Sequence, residues 1–321
     1  MKRSLILIVL SMVFVTGLGL RAEAKVAVTC GVTLPDENTD TTFTLKRDLK
    51  CPGAADPAIA LGDHTILDLN GHTLTGSGTG DGVRASAKDH STVKNGTIKN
   101  FIVPVFFANG NADHATRLTL QQFAIGVDLF ETTRALVSRV HMSNGGATEC
   151  VAVEAASDSV VQANRMSCTA TGVKIDGASD DTLVSGNRLT GGTIGVNINT
   201  TGTAATRVVA NVIRGGATGV DVAATGVDEI ITGNDVAGAS SDGIHVASGA
   251  QTIGIASNAT HGNTHDGIFV QNADEGTSVG DNTANSNGNY GIEATAATDD
   301  AGGDKAMGNG QFGQCLFIVC T

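Results

Sequence analysis

The chain has 321 residues, with 42 Gly, one Tyr, no Trp and only 16% charged residues. A hydrophobic share of 41% is enough for a packed core and excludes a globally disordered chain. Lys and Arg number 20 against 32 Asp and Glu, a net charge of −12 that argues against a nucleic-acid partner, because phosphate binding needs a basic surface.

In chain order, Lys2 and Arg3 precede an apolar run from Leu5 to Val15, and Ala22-Glu23-Ala24 follows it. This pattern predicts a secretory signal peptide over residues 1–24, cleaved after Ala24, and an extracytoplasmic (secreted or periplasmic) mature protein. The apolar run is short for a bilayer anchor and is followed by Gly17, Gly19 and Arg21. No membrane span is expected after cleavage. Removing the peptide also removes Lys2, Arg3, Arg21 and Glu23, which leaves the mature chain still more acidic. The six cysteines of an exported chain read as three disulfides. The sequence-local pairs are expected: Cys30–Cys51 before the repeats described next, Cys150–Cys168 inside them and Cys315–Cys320 after them.

Gly172-Val-Lys-Ile recurs as Gly195-Val-Asn-Ile, Gly219-Val-Asp-Val, Gly243-Ile-His-Val and Gly267-Ile-Phe-Val, and the same register runs back to Ala58 at steps of 22–24 residues. Each copy holds about three strand-sized pieces of β-branched residues separated by Gly, Asn, Thr or Asp, with no helical periodicity. Repeats of this length are supersecondary units that bury their apolar side only by stacking. The expected fold is therefore all-β, a solenoid of about eleven coils over residues 58–310. Residues 25–57 and 311–321 are expected as disulfide-tied caps over the open ends. The register places Val83, Val105 with Phe107, Val127 with Leu129, Val151 with Val153, Val173 with Ile175 and Val196 with Ile198 inside. Val220 with Val222, Ile244 with Val246 and Ile268 with Val270 follow. The repeat glycine suits an unusual φ or a close approach. Asn164, Asn187, Asn211, Asn234, Asn258 and Asn282 suit a left-handed corner and a hydrogen-bonded amide ladder.

Leu67-Asp-Leu-Asn-Gly-His-Thr-Leu74, the Gly-[Val/Ile]-x-[Val/Ile] copies and Gly308-Asn-Gly-Gln-Phe-Gly-Gln-Cys315 resemble right-handed parallel β-helix repeat proteins. The likeness covers the whole mature chain. That group includes pectate lyases, polygalacturonases, alginate epimerases and a periplasmic copper-maturation protein. The resemblance implies a single-stranded right-handed coil and a carbohydrate partner.

The residues between the inward ones form an outward ribbon of two rows. One reads Arg84, Phe106, Asp128, Ala152, Lys174, Asn197, Asp221, His245, Phe269 and Glu293. The other includes Phe130, Glu154, Asp176 and Asn199. Its polar middle predicts a site. Glu154 and Asp176, about 5 Å apart on adjacent coils, need a cation such as Lys174 or Ca²⁺ between them, or act as acid and nucleophile in glycoside hydrolysis. His245 suits the base of a β-elimination on a uronate. Lys174, Asp176, Asp221, His245 and Glu154 are thus the expected catalytic residues, and Asn197, Asn199, Phe269 and Asp128 the expected substrate contacts. Ca²⁺ is the one cofactor the pair invites, and none is required.

His261 and His265, beside Asp266, are a weaker metal signal against a default of solvated histidines. Arg139, Arg165 and Arg188 predict a short basic line near the Asn corner. Asn263-Thr-His-Asp-Gly267 is similar to a polygalacturonase motif, but that family's Gly-His-Gly and Arg-x-Lys stretches are missing. The expected function is an exported, monomeric protein that binds polysaccharide or acts on it by β-elimination or hydrolysis. The alternative is a non-catalytic surface or structural solenoid, an adhesin or matrix component.

Overall fold

The computed structural model describes residues 26–53, 56–143, 146, 148–201, 205–223, 227–271 and 276–321. The expected signal peptide lies outside the described residues. Among these residues there are strands and turns and no helix. Strands pair in parallel with segments one repeat away: Val151 lies beside Val173, Val173 beside Val196, Val196 beside Val220 and Val220 beside Ile244. This is the stacking that the 22–24-residue spacing requires. Parallel strands joined in this way wind right-handed, and the molecule is a right-handed parallel β-helix.

One sheet of 13 strands runs the length of the rod. The repeats supply all of its strands except the first, Val32–Thr33, and the last, Cys315–Leu316. Two further stacks of short strands close each coil, as with Val160–Gln162 and Arg165–Ser167 beneath Leu183–Ser185 and Arg188–Thr190. The segment expected to cap the N-terminal end carries strands in register with the coil above it, Val32 beside Ile59 and Thr41 beside Thr65. The disulfides are Cys30–Cys51, Cys150–Cys168 and Cys315–Cys320, with Cα separations of 5.5, 5.8 and 6.1 Å, and no cysteine is free.

Every residue expected inside, from Val83 to Val270, is fully buried. The other two faces add aliphatic columns, Val137–Val161–Val184–Val208 and Met142–Met166–Leu189–Ile213. Stacked small branched side chains thus supply the hydrophobic stabilisation that aromatics supply elsewhere.

Two local readings are refined. The repeat glycines are required by close approach and not by φ: a Cβ on Gly195, Gly219 or Gly243 would lie 2.5 Å from the carbonyl oxygen of the corresponding glycine one coil on. The ladder asparagines are not themselves left-handed. The residue before each one is, at Ala163, Gly186, Ala210, Gly233, Ser257 and Asp281. That turn points the amide inward. Asn211 Oδ1 accepts the Asn187 backbone N–H (2.9 Å) and the Asn187 Nδ2 (3.0 Å), while Asn211 Nδ2 donates to the Val184 carbonyl (2.9 Å). The ladder ends on Asp304, which accepts from Asn282.

Candidate functional site

The ribbon is the solvent face of the 13-stranded sheet. Strand pairing fixes its order: Asp128 beside Ala152 beside Lys174 beside Asn197 beside Asp221 beside His245 beside Phe269 in one row, and Phe130 beside Glu154 beside Asp176 beside Asn199 in the other. These rows are not one converging site. They divide into two groups.

The first group centres on Lys174. Its Nζ lies 2.9 Å from Asp176 Oδ2 and 4.0 Å from Glu154 Oε1. Asp176 Oδ1 accepts from Asn199 Nδ2 and from the Gly177 backbone N–H, each at 2.9 Å. Burial pushes the Asp176 carboxyl up, but Lys174 and these donors pull it below the ordinary carboxylate range. The hydrogen bond to Asp176 in turn raises Lys174. The ammonium is engaged and is not a base. An open hollow of about 290 Å³ lies beside Glu154, Ala155, Asp176 and Gly177. Two rungs from Lys174 along the same row, Asp128 has a buried Oδ1 with no hydrogen-bond partner. Burial, reinforced by the charge of Glu154, pushes the Asp128 carboxyl up to about 7. Ala152, expected as an exposed rung, is fully covered between the longer Asp128 and Lys174. Phe130 remains exposed at the edge of this group, and Phe106 lies under the Arg84 guanidinium, 5.6 Å from ring centroid to Cζ. Arg84 is itself paired with Asp56 and Asp81.

The second group is Asn197, Asp221, His245 and Phe269. Asp221 Oδ2 accepts from Asn197 Nδ2 (3.0 Å), and Asp221 Oδ1 lies 2.7 Å from His245 Nδ1. The hydrogen bond to Asp221 raises the His245 imidazole above its ordinary value, against the opposing effect of burial. The Phe269 ring lies 5.6 Å from the His245 ring and 6.3 Å from that of His265. His265 belongs to a cluster that was only partly anticipated. Its Nδ1 is 2.7 Å from Asp242 Oδ1 and 2.8 Å from Asp266 Oδ2. The signal for Asp242 is in the repeat itself: Asp242 and Asp266 each precede the repeat glycine of consecutive coils.

The remaining weak signals separate. His261 lies on a different face, 3.1 Å from Asp235, which also binds Arg214. Arg165 and Arg188 stack in register, but their column continues to His141, because Arg139 occupies the left-handed corner position.

The fold and ribbon define a right-handed parallel β-helix with carboxylate, amide and imidazole groups in rows along one face. Residues 133–301, more than half of the chain, match the family described as "NosD: Periplasmic copper-binding protein". The chain belongs to that family. Among solved structures it is similar to the A-module of a mannuronan C-5 epimerase from Azotobacter vinelandii, at 14% identity and TM-score 0.58, covering 90% of each chain. It is also similar to the catalytic unit of a thermostable GH87 alpha-1,3-glucanase from Streptomyces thermodiastaticus, at 15% identity and TM-score 0.65, covering 86% of this chain and 64% of that one. A Paenibacillus alginate lyase aligns at 15% identity and TM-score 0.51, over 72% of this chain and 88% of its own. At these identities the likeness is one of fold. No curated protein matches the sequence. A periplasmic family and three disulfides agree with an extracytoplasmic location. No helix among the described residues is long and apolar enough to cross a membrane.

Proposed function

We propose that the protein, exported and cleaved after Ala24, acts as a monomer on a neutral polysaccharide laid along the ribbon. Asp128 serves as the proton donor and Glu154 as the partner carboxylate of a glycoside hydrolysis. The observation that carries this reading is the Asp128 carboxyl, buried on one oxygen without a hydrogen-bond donor and one coil from Glu154. A carboxyl group that burial holds protonated near neutral pH can serve as the acid of a carboxyl pair. The exposed Phe130 ring offers a stacking surface beside them.

The choice of a neutral polymer over a uronate follows from the cations. Lys174 and Arg84 are both held by carboxylates, and β-elimination needs an unspent positive charge at the substrate carboxylate. Asp221 and His245 then hold a sugar further along the chain instead of abstracting a proton. Ca²⁺ is not required; to sit between Glu154 and Asp176 it would have to displace the Lys174 ammonium. The family's description names copper. With every cysteine in a disulfide, the thiolate donors that favour Cu(I) are missing, and no step at Asp128 or Glu154 runs through copper.

The test is release of reducing ends from soluble neutral glucans by the mature protein. Asp128→Asn and Glu154→Gln are each expected to lower the rate by roughly 100-fold or more while leaving binding intact. Unsaturated products from uronate polymers, absorbing near 235 nm, without release from neutral ones would overturn the reading. The openness of the hollow favours one second reading, a non-catalytic solenoid, and binding without release is its expected result.

A further inference from the structure

We infer that Asp242, His265 and Asp266 form a binding site for a borderline divalent cation, Cu²⁺ or Zn²⁺, at the edge of the ribbon beside Phe269. The inference stands apart from the hydrolysis proposed above. One ligand atom from each residue lies within 4.8 Å of the others. The two carboxylates are almost inaccessible, at 6% exposure for Asp242 and 0% for Asp266.

Asp266 points to a missing partner. Its Oδ1 is fully used, accepting from the Tyr290 backbone N–H (2.7 Å) and from Asn289 Nδ2 (2.9 Å). Its Oδ2 is buried and receives no hydrogen bond, although it lies 2.8 Å from His265 Nδ1. That ring nitrogen has at most one proton, and its hydrogen-bond partner is Asp242 Oδ1 at 2.7 Å. Asp242 Oδ1 also accepts the Asp266 backbone N–H (3.0 Å), so Asp266 Oδ2 is the one carboxylate oxygen of the pair left without a donor. A cation bound to all three residues supplies that missing partner.

The surroundings are those of an oriented ligand set. Asp242 is fixed by the Asp266 backbone N–H (3.0 Å) and by Ser241 Oγ (3.2 Å), and Asn289 anchors Asp266 from behind. The His265 side chain is 52% exposed, so further coordination positions open toward the ribbon. One imidazole and two carboxylates suit Cu²⁺ or Zn²⁺ better than a soft monovalent ion or an all-oxygen cation.

The test titrates the mature protein with Cu²⁺ or Zn²⁺ alone by calorimetry, and records the electron paramagnetic resonance of the Cu²⁺ form. One equivalent is expected to bind, with nitrogen coupling from a single imidazole. His265→Ala, at a side chain 52% exposed, is expected to weaken binding by about 100-fold, and Asn289→Ala by at least about 10-fold. His261→Ala is expected to leave it unchanged. Absence of stoichiometric binding, binding unaffected by His265→Ala, or loss on His261→Ala would each overturn the assignment. Retention of Zn²⁺ binding without Cu²⁺ binding, or the reverse, identifies the ion.

Discussion

Ala210 holds a φ of 54° and Ala163 a φ of 55°, a region in which a Cβ costs about 1–2 kcal/mol. The equivalent corners at Gly186 and Gly233 are already glycine. Ala210→Gly and Ala163→Gly are therefore expected to raise stability by a few tenths to about 1 kcal/mol, the relief at the corner exceeding glycine's greater freedom when unfolded. A rise in melting temperature checks this, and a fall would show that the corner is not strained. Glu229 lies fully buried at a different corner, accepting from the Thr206 backbone N–H (2.7 Å) and from Thr200 Oγ1 (2.6 Å). Burial nonetheless pushes its carboxyl up to about 7, as it does that of Asp113. Because the folded state holds these protons more tightly than the unfolded chain does, stability is greatest below the ordinary carboxylate range and falls as pH rises toward 7. Each group contributes on the order of 3 kcal/mol to that fall. The protein is expected to melt at a higher temperature at pH 5 than at pH 8, and Glu229→Gln is expected to shrink the difference while the Asp113 share remains.

At the scale of the element, the Asn ladder carries the prediction with the sharpest locality. Asn211→Ala leaves the Asn187 backbone N–H and the Val184 carbonyl without their partners. At about 1–3 kcal/mol per orphaned buried group, the loss amounts to several kcal/mol. In a solenoid that loss is borne by neighbouring coils. Hydrogen exchange is expected to accelerate around residues 187–234 and not near residues 83–130. The ladder was legible in the sequence as a column of asparagines, as were the inward pairs from Val83 to Val270, because a two-dozen-residue period fixes which side chains stack. The left-handed residue was not legible, since Ala, Gly, Ser and Asp all occupy that position and only the backbone trace separates it from the Asn that follows. The glycines were legible as a requirement, but their cause, a carbonyl from the next coil, is a contact between repeats.

For the whole molecule, the period gave the ribbon and its rows but not how the rows divide. Lys174 reaches Asp176 and Glu154 while Asp221 turns to Asn197 and His245, choices made by side-chain reach that one-dimensional order leaves open. Asp242, the partner of His265 and Asp266, was not legible because it stands one residue ahead of the inward-outward alternation. The chain's lack of tryptophan allows the ribbon's role to be measured without background. Phe130→Trp places an indole beside the Glu154 hollow, and Phe312→Trp places one on the fully exposed C-terminal segment. Adding a neutral glucan oligosaccharide is predicted to shift and quench the emission of Phe130→Trp and to leave that of Phe312→Trp unchanged. A response at position 312 alone, or binding detected by other means with position 130 silent, would contradict the placement of the polymer on this face.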